Sequence, residues 1–348
     1  MPIKYITNWN TKKINQIIDV RSPNEFQLDH IPGSINLPVL KNNERELIGT
    51  IYKKDSPFKA KKLGASFISK NISILIKKKF IHNQGNWKPL IYCWRGGQRS
   101  NAISITLSEI GWEVYLLKGG YKTYRKEIIN SLNKLVNNFK FIVLRGKTGT
   151  AKTKILETLL NNEGNVLNLE KIAKHKGSLL GKHPNQEQPS QKLFESLIYF
   201  ELRKLKKNKP VFVESESSKI GNLFLPSNLL FKIENSPCID IETNIDARAS
   251  FLVKDYSKFI LKKNSFNELF AYANTKLGRE IVEKWKINYA KKNWKALATQ
   301  LILEYYDPLY SHKKNKKSNL VIEKIKLQSL NKTSINSFCA YLKKKYCK

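Results

Sequence analysis

The sequence predicts an α/β protein with two successive parallel-sheet domains. Short apolar segments alternate with longer amphipathic segments, and this alternation restarts near the middle of the chain. The length of 348 residues also predicts two domains, at roughly 150 residues per domain. We expect domains over residues 1–135 and 136–348, the second ending in a basic, mainly helical part.

The first half contains three candidate strands, each a short apolar run of the kind found in sheets covered on both faces. They are residues 17–20, 90–92 and 114–117. A helical pattern covers residues 63–76, a second helix begins near Ser100 and ends at Gly111, and a third passes through residues 128–132. The polar stretch 133–140 is the expected seam.

The second half restarts with an apolar strand over residues 141–144. A glycine-containing loop follows, and then a helix that begins near Lys152. Further candidate strands are residues 166–169, 211–213 and 238–241. Strands that alternate with helices again predict a parallel sheet.

The charge balance indicates a polyanionic partner. Lys and Arg number 63 against 28 Asp and Glu, a formal charge of +35. Nucleic acid is the simplest such partner, although compositional drift toward lysine is an equal explanation. With 41% hydrophobic residues the chain is not a disordered basic tail. No apolar run approaches the length of a membrane span, so we expect a cytoplasmic protein with no membrane partner.

Cysteine usage argues against a disulfide scaffold and a structural zinc site, since the four cysteines lie far apart. Cys93 has a distinctive context: it follows strand 90–92 and precedes a glycine-containing loop and a helix. Parallel sheets bind ligands at this position. Loop amides, the helix amino terminus, Arg95 and Arg99 would favour a reactive thiolate. The alternative is a buried structural cysteine.

The spacing from Cys93 to Arg99 also matches the phosphate-binding arrangement of cysteine-dependent phosphatases, in which the arginine clamps phosphate and the thiolate attacks phosphorus. Upstream segments weigh against it: residues 19–26 and 30–36 resemble the entry segment of rhodanese-like sulfurtransferases. This resemblance implies that Asp19 and Arg21 pair near the core and that His30 is structural. Asp29 stands where that family carries glycine, which is expected to alter the turn.

Residues 146–153 nearly match the phosphate-binding motif G-x-x-x-x-G-K-[ST], and we call them the phosphate loop. Its amides would bind phosphate oxygens, Lys152 would add a positive charge, and the Thr153 hydroxyl would ligate Mg²⁺. Ala151 replaces the expected glycine, so its Cβ is costly if φ is positive and is expected to crowd the phosphates. The alternative is a chance glycine-rich turn.

An acidic partner for Mg²⁺ is expected after a later strand. Glu214 and Glu216 follow strand 211–213 and are the candidates, although both could equally be solvated loop charges.

Taken together, the two halves resemble the tRNA 2-selenouridine synthase family. The resemblance rests on the string Cys93–Gly97 joined to a phosphate loop, and on further segments along nearly the whole chain. These are residues 43–45, 48–53, 117–121, 175–178, 188–191 and 305–310. It predicts a rhodanese-like parallel-sheet domain followed by a P-loop NTPase-like α/β domain with a helical carboxyl-terminal extension.

The resemblance implies an enzyme that replaces the sulfur of wobble-position 2-thiouridine in tRNA with selenium. Selenophosphate would be the donor, geranyl diphosphate a co-substrate that first alkylates the sulfur, and a selenophosphate-producing enzyme a partner; no DNA partner is expected. Cys93 would accept or relay the chalcogen within an anion cradle formed by Trp94, Arg95, Gly96, Gly97 and Arg99. We assign diphosphate binding to Gly146, Lys147, Thr148, Gly149, Lys152 and Thr153, with Thr153 and Glu214 as Mg²⁺ ligands. A nucleoside triphosphate or a tRNA phosphate is equally compatible with the loop.

Two other functions remain open on the sequence. The first is a sulfurtransferase or phosphatase whose second half has become a scaffold, which Ala151 motivates. The second is a non-catalytic basic RNA-binding protein. Four aromatic residues could stack on unpaired bases, but their helical spacing favours a place in the core; they are Trp285, Tyr289, Trp294 and Tyr305.

Overall fold

The computed structural model describes residues 2–11, 13–178, 181, 186–215, 217–260, 266–314 and 320–347. The chain forms two compact units. The first comprises Met1–Leu132 with Ser190–Leu197, and the second comprises Asn133–Pro189 with Ile198–Lys348. The domain limits expected from the sequence, 1–135 and 136–348, remain a proposal. Among the described residues, no helix is long and apolar enough to cross a membrane.

The first unit contains a five-stranded sheet in which all neighbouring strands are parallel, in the order β1-β5-β4-β2-β3. Its strands are β1 (Lys4–Ile6), β2 (Gln16–Asp19), β3 (Ile35–Asn36), β4 (Pro89–Tyr92) and β5 (Tyr115–Leu117). Ile91 on the central strand β4 pairs with Ile18 on one side and Leu116 on the other. All three side chains are buried, as the apolar runs predict for a sheet covered on both faces.

Five helices accompany this sheet. They are α1 (Pro23–Leu28), α2 (Asn42–Lys54), α3 (Pro57–Leu75), α4 (Gln98–Ile110) and α5 (Gly120–Val136). A π-helical turn, Ile76–Phe80, continues α3. Helix α1 begins with a capping box, because the Glu25 carboxylate accepts a hydrogen bond from the Ser22 amide. Helix α4 ends at Gly111, as predicted.

The second unit repeats the same architecture. Its five-stranded parallel sheet has the order β12-β11-β6-β8-β7. The strands are β6 (Phe141–Arg145), β7 (Val166–Leu167), β8 (Val211–Glu214), β11 (Cys238–Glu242) and β12 (Val321–Lys326), and β9 (Lys219–Ile220) pairs antiparallel with β10 (Leu223–Phe224). The mixed α/β class with parallel sheets, predicted from the alternation of segments, is confirmed.

The helices of the second unit lie around this sheet and in the carboxyl-terminal third of the chain. They are α6 (Lys152–Asn161), α7 (Leu169–Ala173), α8 (Gln191–Lys204, whose first residues belong to the first unit), α9 (Ser227–Glu234), α10 (Ile245–Asp255), α11 (Ser257–Ile260), α12 (Asn267–Leu277), α13 (Arg279–Ala290), α14 (Trp294–Gln300), α15 (Asp307–Lys314) and α16 (Lys332–Tyr346). A π-helical turn, Leu301–Tyr306, joins α14 to α15. The mainly helical carboxyl-terminal extension is confirmed.

Two local predictions differ from the structure. The strand expected over 166–169 ends at Leu167, because the Asn168 side chain accepts a hydrogen bond from the Lys171 amide and caps α7. Strand β12 lies in the part read as helical. Its residues alternate between half-buried and exposed, which is the period of a strand on a half-covered face.

The predicted core position of the carboxyl-terminal aromatic residues is confirmed. Trp285 has no exposed surface, and Tyr305 is 7% exposed. Tyr289 and Trp294 pack against the same cluster of buried apolar residues. Trp285 and Tyr305 are therefore unavailable for stacking on RNA bases.

Candidate functional site

Cys93 is the first residue after β4, at the carboxyl end of a central strand, and α4 begins five residues later. The residue is 3% exposed. The Ser100 hydroxyl donates a hydrogen bond to the Cys93 sulfur over 3.1 Å, and the carbonyl oxygen of Gly97 lies 3.9 Å from that sulfur. The sequence pointed to backbone amides around the sulfur. Among the described residues, the sulfur instead accepts a hydrogen bond from the Ser100 hydroxyl and donates one to the Gly97 carbonyl.

The segment Leu117–Tyr121 supports the loop that follows Cys93. The Tyr121 amide donates to the Cys93 carbonyl over 2.8 Å, and the Lys122 amide donates to the Trp94 carbonyl over 3.1 Å. Gly120 has φ +55°, and a Cβ there would lie 2.2 Å from the Cys93 carbonyl oxygen. Only glycine allows this approach. The similarity of residues 117–121 to the family thus has a structural reason: they hold the loop.

The two loop arginines have different environments. Arg95 is exposed and makes no side-chain hydrogen bond or ion pair with any other described residue. Arg99 donates two hydrogen bonds to the Glu25 carboxylate, at 2.6 and 3.2 Å. Burial opposes the charge of Glu25, but the hydrogen bonds and charge of Arg99 outweigh it and lower the pKa of Glu25. In this state Arg99 holds a carboxylate of the protein, so a phosphate bound as in the phosphatase arrangement would have to displace Glu25.

A buried polar network lies beside the cysteine loop. Arg21 donates to Asp19 over 2.6 Å and to the Asp29 carbonyl over 2.7 Å, and its guanidinium covers the Tyr121 ring at 4.1 Å. Burial lowers the pKa of Arg21, but the hydrogen bonds and charge of Asp19 outweigh it and raise that pKa. The pairing of Asp19 with Arg21, implied by the rhodanese-like resemblance, is confirmed.

Asp29 and His30 have structural contacts. The Asp29 backbone is extended, with φ −174°, so aspartate adopts it without strain. Its carboxylate accepts a hydrogen bond from the Tyr121 hydroxyl over 2.9 Å, while burial raises its pKa. His30 stacks on Phe26 with ring centroids 3.8 Å apart, and its Nδ1 lies 2.9 Å from the Phe26 carbonyl. These contacts agree with a structural role for His30.

The phosphate loop follows β6 and leads directly into α6. Lys152 extends back along it, and Nζ donates to the Gly146 carbonyl over 2.7 Å. Lys147 pairs with Asp307 at 2.9 Å, and the Thr148 carbonyl accepts from Arg248 Nε over 2.8 Å. Arg248 also donates two hydrogen bonds to the Asp307 carboxylate. Arg248 and Asp307 therefore fix the backbone and one lysine of the loop.

Ala151 has the left-handed backbone that its position was expected to require, with φ 60° and ψ 23°. Its Cβ does carry the conformational cost predicted for this region. The methyl group, however, packs into the apolar core with Ile155 and Leu156, and the residue is 4% exposed. This burial argues against the predicted crowding of the phosphates, because the methyl group belongs to the core.

Acidic residues lie next to the end of the phosphate loop. The Thr153 hydroxyl donates to the Glu170 carboxylate, and the Glu170 amide donates to Glu214 Oε1 over 2.7 Å. Glu214 is 1% exposed, so it is not a solvated loop charge. Glu216 lies outside the described residues. Within the described part of the chain, no group of three or more His, Cys, Asp or Glu residues is arranged to hold a metal ion.

Sequence reasoning missed four residues that shape these sites: Ser100, Glu170, Arg248 and Asp307. Ser100 had a local signal, since it lies one helical turn into α4 after the loop. Asp307 lies in a segment noted for its family resemblance, but its contact with Arg248 joins residues 59 positions apart. Such a contact exists only after the second unit has folded.

Two family models match the chain. A rhodanese-like domain matches residues 4–127, and the tRNA 2-selenouridine synthase AAA domain matches residues 139–279. A tRNA 2-selenouridine synthase from Nitrosomonas europaea is 35% identical over 246 residues, covering 69% of this chain and 63% of that relative. One from Nitrosomonas eutropha is 36% identical over 246 residues, covering 69% and 62%.

A longer match reaches both halves. A tRNA 2-selenouridine synthase from Sulfurovum sp. is 29% identical over 336 residues, covering 88% of this chain and 90% of that relative. The matches to the two Nitrosomonas proteins span less than two thirds of those relatives' length.

Proposed function

This chain belongs to the tRNA 2-selenouridine synthase family, and we propose that it converts wobble-position 2-thiouridine in tRNA to 2-selenouridine. The observation that carries this proposal is the placement of Cys93. Its sulfur lies at the carboxyl end of a central strand, receives a hydrogen bond from Ser100, and has the exposed cation Arg95 two residues away. A hydroxyl donor and a nearby cation stabilise a thiolate.

The first proposed step is alkylation of the thiouridine by geranyl diphosphate. The sulfur attacks C1 of the geranyl group, a C–S bond forms, and the C–O bond to the diphosphate breaks. Diphosphate leaves with the electron pair, and the N3 proton of the thiouridine ring is released to water. The step converts a poor leaving group into a thioether that C2 of the pyrimidine can release.

The second proposed step introduces selenium without any change in oxidation state. The Cys93 thiolate attacks phosphorus of selenophosphate, and the P–Se bond breaks to release hydrogen selenide. Selenide adds to C2 of the alkylated ring, and geranylthiol leaves as its C–S bond to the ring breaks. Water then hydrolyses the cysteinyl phosphate to phosphate and restores Cys93. In this role Cys93 accepts the phosphoryl group and thereby frees the selenium from its donor. Trp94, Arg95, Gly96 and Gly97 would surround the anionic donor, and Arg99 would join them when the donor displaces Glu25.

The phosphate loop is the proposed diphosphate site. Its amides and Lys152 would neutralise the charge that develops on the departing diphosphate. Mg²⁺ would supply further charge neutralisation when it is bound. Oxygen donors suit this ion, which takes one or two carboxylates besides phosphate oxygens. Thr153 donates to the Glu170 carboxylate, and the Glu170 amide donates to Glu214, so Thr153, Glu170 and Glu214 would hold the ion.

The charge of +35 supports tRNA as the polyanionic substrate. A selenophosphate-producing enzyme is a functional partner on this proposal, because the donor must be made before it is used. We propose a cytoplasmic location, where such a tRNA would be modified.

The test is mass spectrometry of tRNA nucleosides from selenium-supplied cells that lack this protein, complemented with one of three forms. The wild-type chain and Cys347→Ser should restore 2-selenouridine, whereas Cys93→Ser should not. Cys347 is the control because it is also a free cysteine and lies outside both sites. Cells without the protein that still form 2-selenouridine would refute the proposed function.

A further inference from the structure

An apolar pocket adjoins the phosphate loop, and the second unit supplies its described walls. Thr148 of the loop is one wall. The others are predominantly aliphatic and aromatic side chains, among them Leu252, Val253, Tyr256, Trp294, Leu297 and Tyr306. A charged loop at one end and hydrocarbon along the rest is the profile of a site for an amphiphile.

The loop and the pocket share their supporting elements. Helix α10 holds the loop through Arg248, and one turn later Leu252 lines the pocket. Asp307 pairs with Lys147 of the loop, and the preceding residue, Tyr306, lines the pocket. Because each element contacts both, a molecule bound across them would meet phosphate ligands and apolar walls in a fixed arrangement.

The composition of the pocket favours a hydrocarbon over a nucleobase. A base needs partners for the polar groups on its edge. The hydroxyl of Tyr256, a wall residue, already has a hydrogen-bond partner, since it lies 3.1 Å from the Ser178 hydroxyl. Burial raises the pKa of Tyr256 and of Tyr306 well above the ordinary value, as expected beside an apolar space.

We propose that this pocket holds the hydrocarbon chain of a prenyl diphosphate whose phosphates lie in the phosphate loop. The inference rests on the proposed function and adds to it the place where the alkyl donor binds. The cavity is narrow, with a volume of about 50 Å³, so a ten-carbon chain requires rim side chains to turn aside. Tyr256 and Trp294 are half-buried and move with less loss of packing than Leu297, which is 2% exposed.

The test is calorimetric titration of the full chain with geranyl diphosphate, dimethylallyl diphosphate, inorganic diphosphate and a nucleoside triphosphate. Geranyl diphosphate should bind more than about tenfold more tightly than dimethylallyl diphosphate, because five further carbons are buried. Val253→Trp should weaken geranyl diphosphate binding by more than about tenfold, because the larger side chain fills the pocket. Its affinity for inorganic diphosphate should change less than twofold. Lys152→Ala should weaken both.

Ile245→Trp is the matched control, since it adds the same ring at an exposed position of the same helix, outside the pocket. It should change neither affinity. Three results would each overturn the pocket assignment. The wild-type chain could bind geranyl diphosphate no more tightly than inorganic diphosphate, or Val253→Trp could weaken the binding of both equally. A nucleoside triphosphate could also bind more tightly than geranyl diphosphate and lose affinity in Val253→Trp.

Assays of tRNA keep the two proposals separate. Chain-length-dependent binding without any tRNA product would leave the pocket assignment standing and refute the proposed function. If the Val253→Trp variant kept its affinity for geranyl diphosphate and still formed 2-selenouridine, the pocket assignment would be refuted and the proposed function would stand.

Discussion

The Ser100 hydroxyl lies 3.1 Å from the Cys93 sulfur and also 3.1 Å from the Gly97 carbonyl oxygen. A hydroxyl has a single proton to donate. Ionised sulfur is the stronger acceptor of the two, because hydrogen bonds to charged groups are worth about 1.5–3 kcal/mol against about 1 for neutral ones. A thiolate at Cys93 would therefore compete with the Gly97 carbonyl for the Ser100 proton, and we propose Ser100 as a positioning residue for Cys93.

Removing this hydroxyl should slow the reaction of Cys93 with an alkylating reagent. We expect Ser100→Ala to reduce the iodoacetamide rate at pH 7 by roughly fivefold or more, as the loss of one hydrogen bond to a charged group implies. Peptide mass spectrometry measures the rate at this cysteine. Ser104→Ala is the control, because Ser104 is equally buried one turn further along α4. Equal rates in the two variants would contradict the role assigned to Ser100.

The ion pair of Glu25 with Arg99 predicts a pH-dependent contribution to stability. The pKa of Glu25 in the folded state lies below its ordinary value of 4.5. The carboxylate therefore adds stability above that value, and the contribution is lost as the pH falls through the lowered pKa. Glu25→Gln should unfold about 1–2 kcal/mol more easily at pH 7.

Denaturant titrations between pH 3 and 7 measure this difference. The gap between wild type and Glu25→Gln should shrink below about pH 4.5, where the wild-type carboxylate takes up a proton. A gap that stays constant over the whole range would show that the charge of Glu25 is not its source.

Ala151 should tolerate glycine and reject a branched side chain. Glycine removes the conformational strain of the left-handed backbone, which stabilises the fold by about 1 kcal/mol. It also removes a methyl group from the core, which costs a similar amount. We expect Ala151→Gly to change the free energy of unfolding by less than about 1 kcal/mol, and Ala151→Val to lower it by more than about 2. Diphosphate affinity of Ala151→Gly should stay within about threefold, and a much larger gain would mean that the methyl group does reach the ligand.

Asp307 should matter more for stability than its partner Lys147. The Arg248 side chain is 3% exposed, so Asp307→Asn leaves a buried charge without its carboxylate, at a cost of about 3–5 kcal/mol. Lys147 is 46% exposed, and Lys147→Ala should cost less than about 1 kcal/mol. Thermal and denaturant unfolding measure the loss of stability in each variant. Similar losses in Asp307→Asn and Lys147→Ala would contradict the claim that the Asp307 carboxylate balances the buried charge of Arg248.

Local sequence signals predicted much of the fold and the positions of both loops. The apolar runs located β4 and β6, and the residues that follow each strand contained Cys93 and the phosphate loop. These features depend on residues close together in the chain, where periodicity and turn chemistry are informative. Strand β12 was missed because its alternation is short and lies among helical segments.

Contacts between distant residues could not be predicted in this way. Glu25 and Arg99 are 74 positions apart, and Lys147 and Asp307 are 160 apart. The sequence offered Arg99 as a ligand of an external anion, whereas the fold brings Glu25 against it. The direction of the Ala151 methyl group likewise depends on how α6 packs.

The most direct test of the central claim is the reaction of purified full-length protein with thiolated tRNA, geranyl diphosphate and selenophosphate, followed by nucleoside mass spectrometry. Cys93→Ser should yield S-geranyl-2-thiouridine and no 2-selenouridine, while Cys347→Ser should yield 2-selenouridine like the wild type. Undiminished 2-selenouridine from Cys93→Ser would contradict the account.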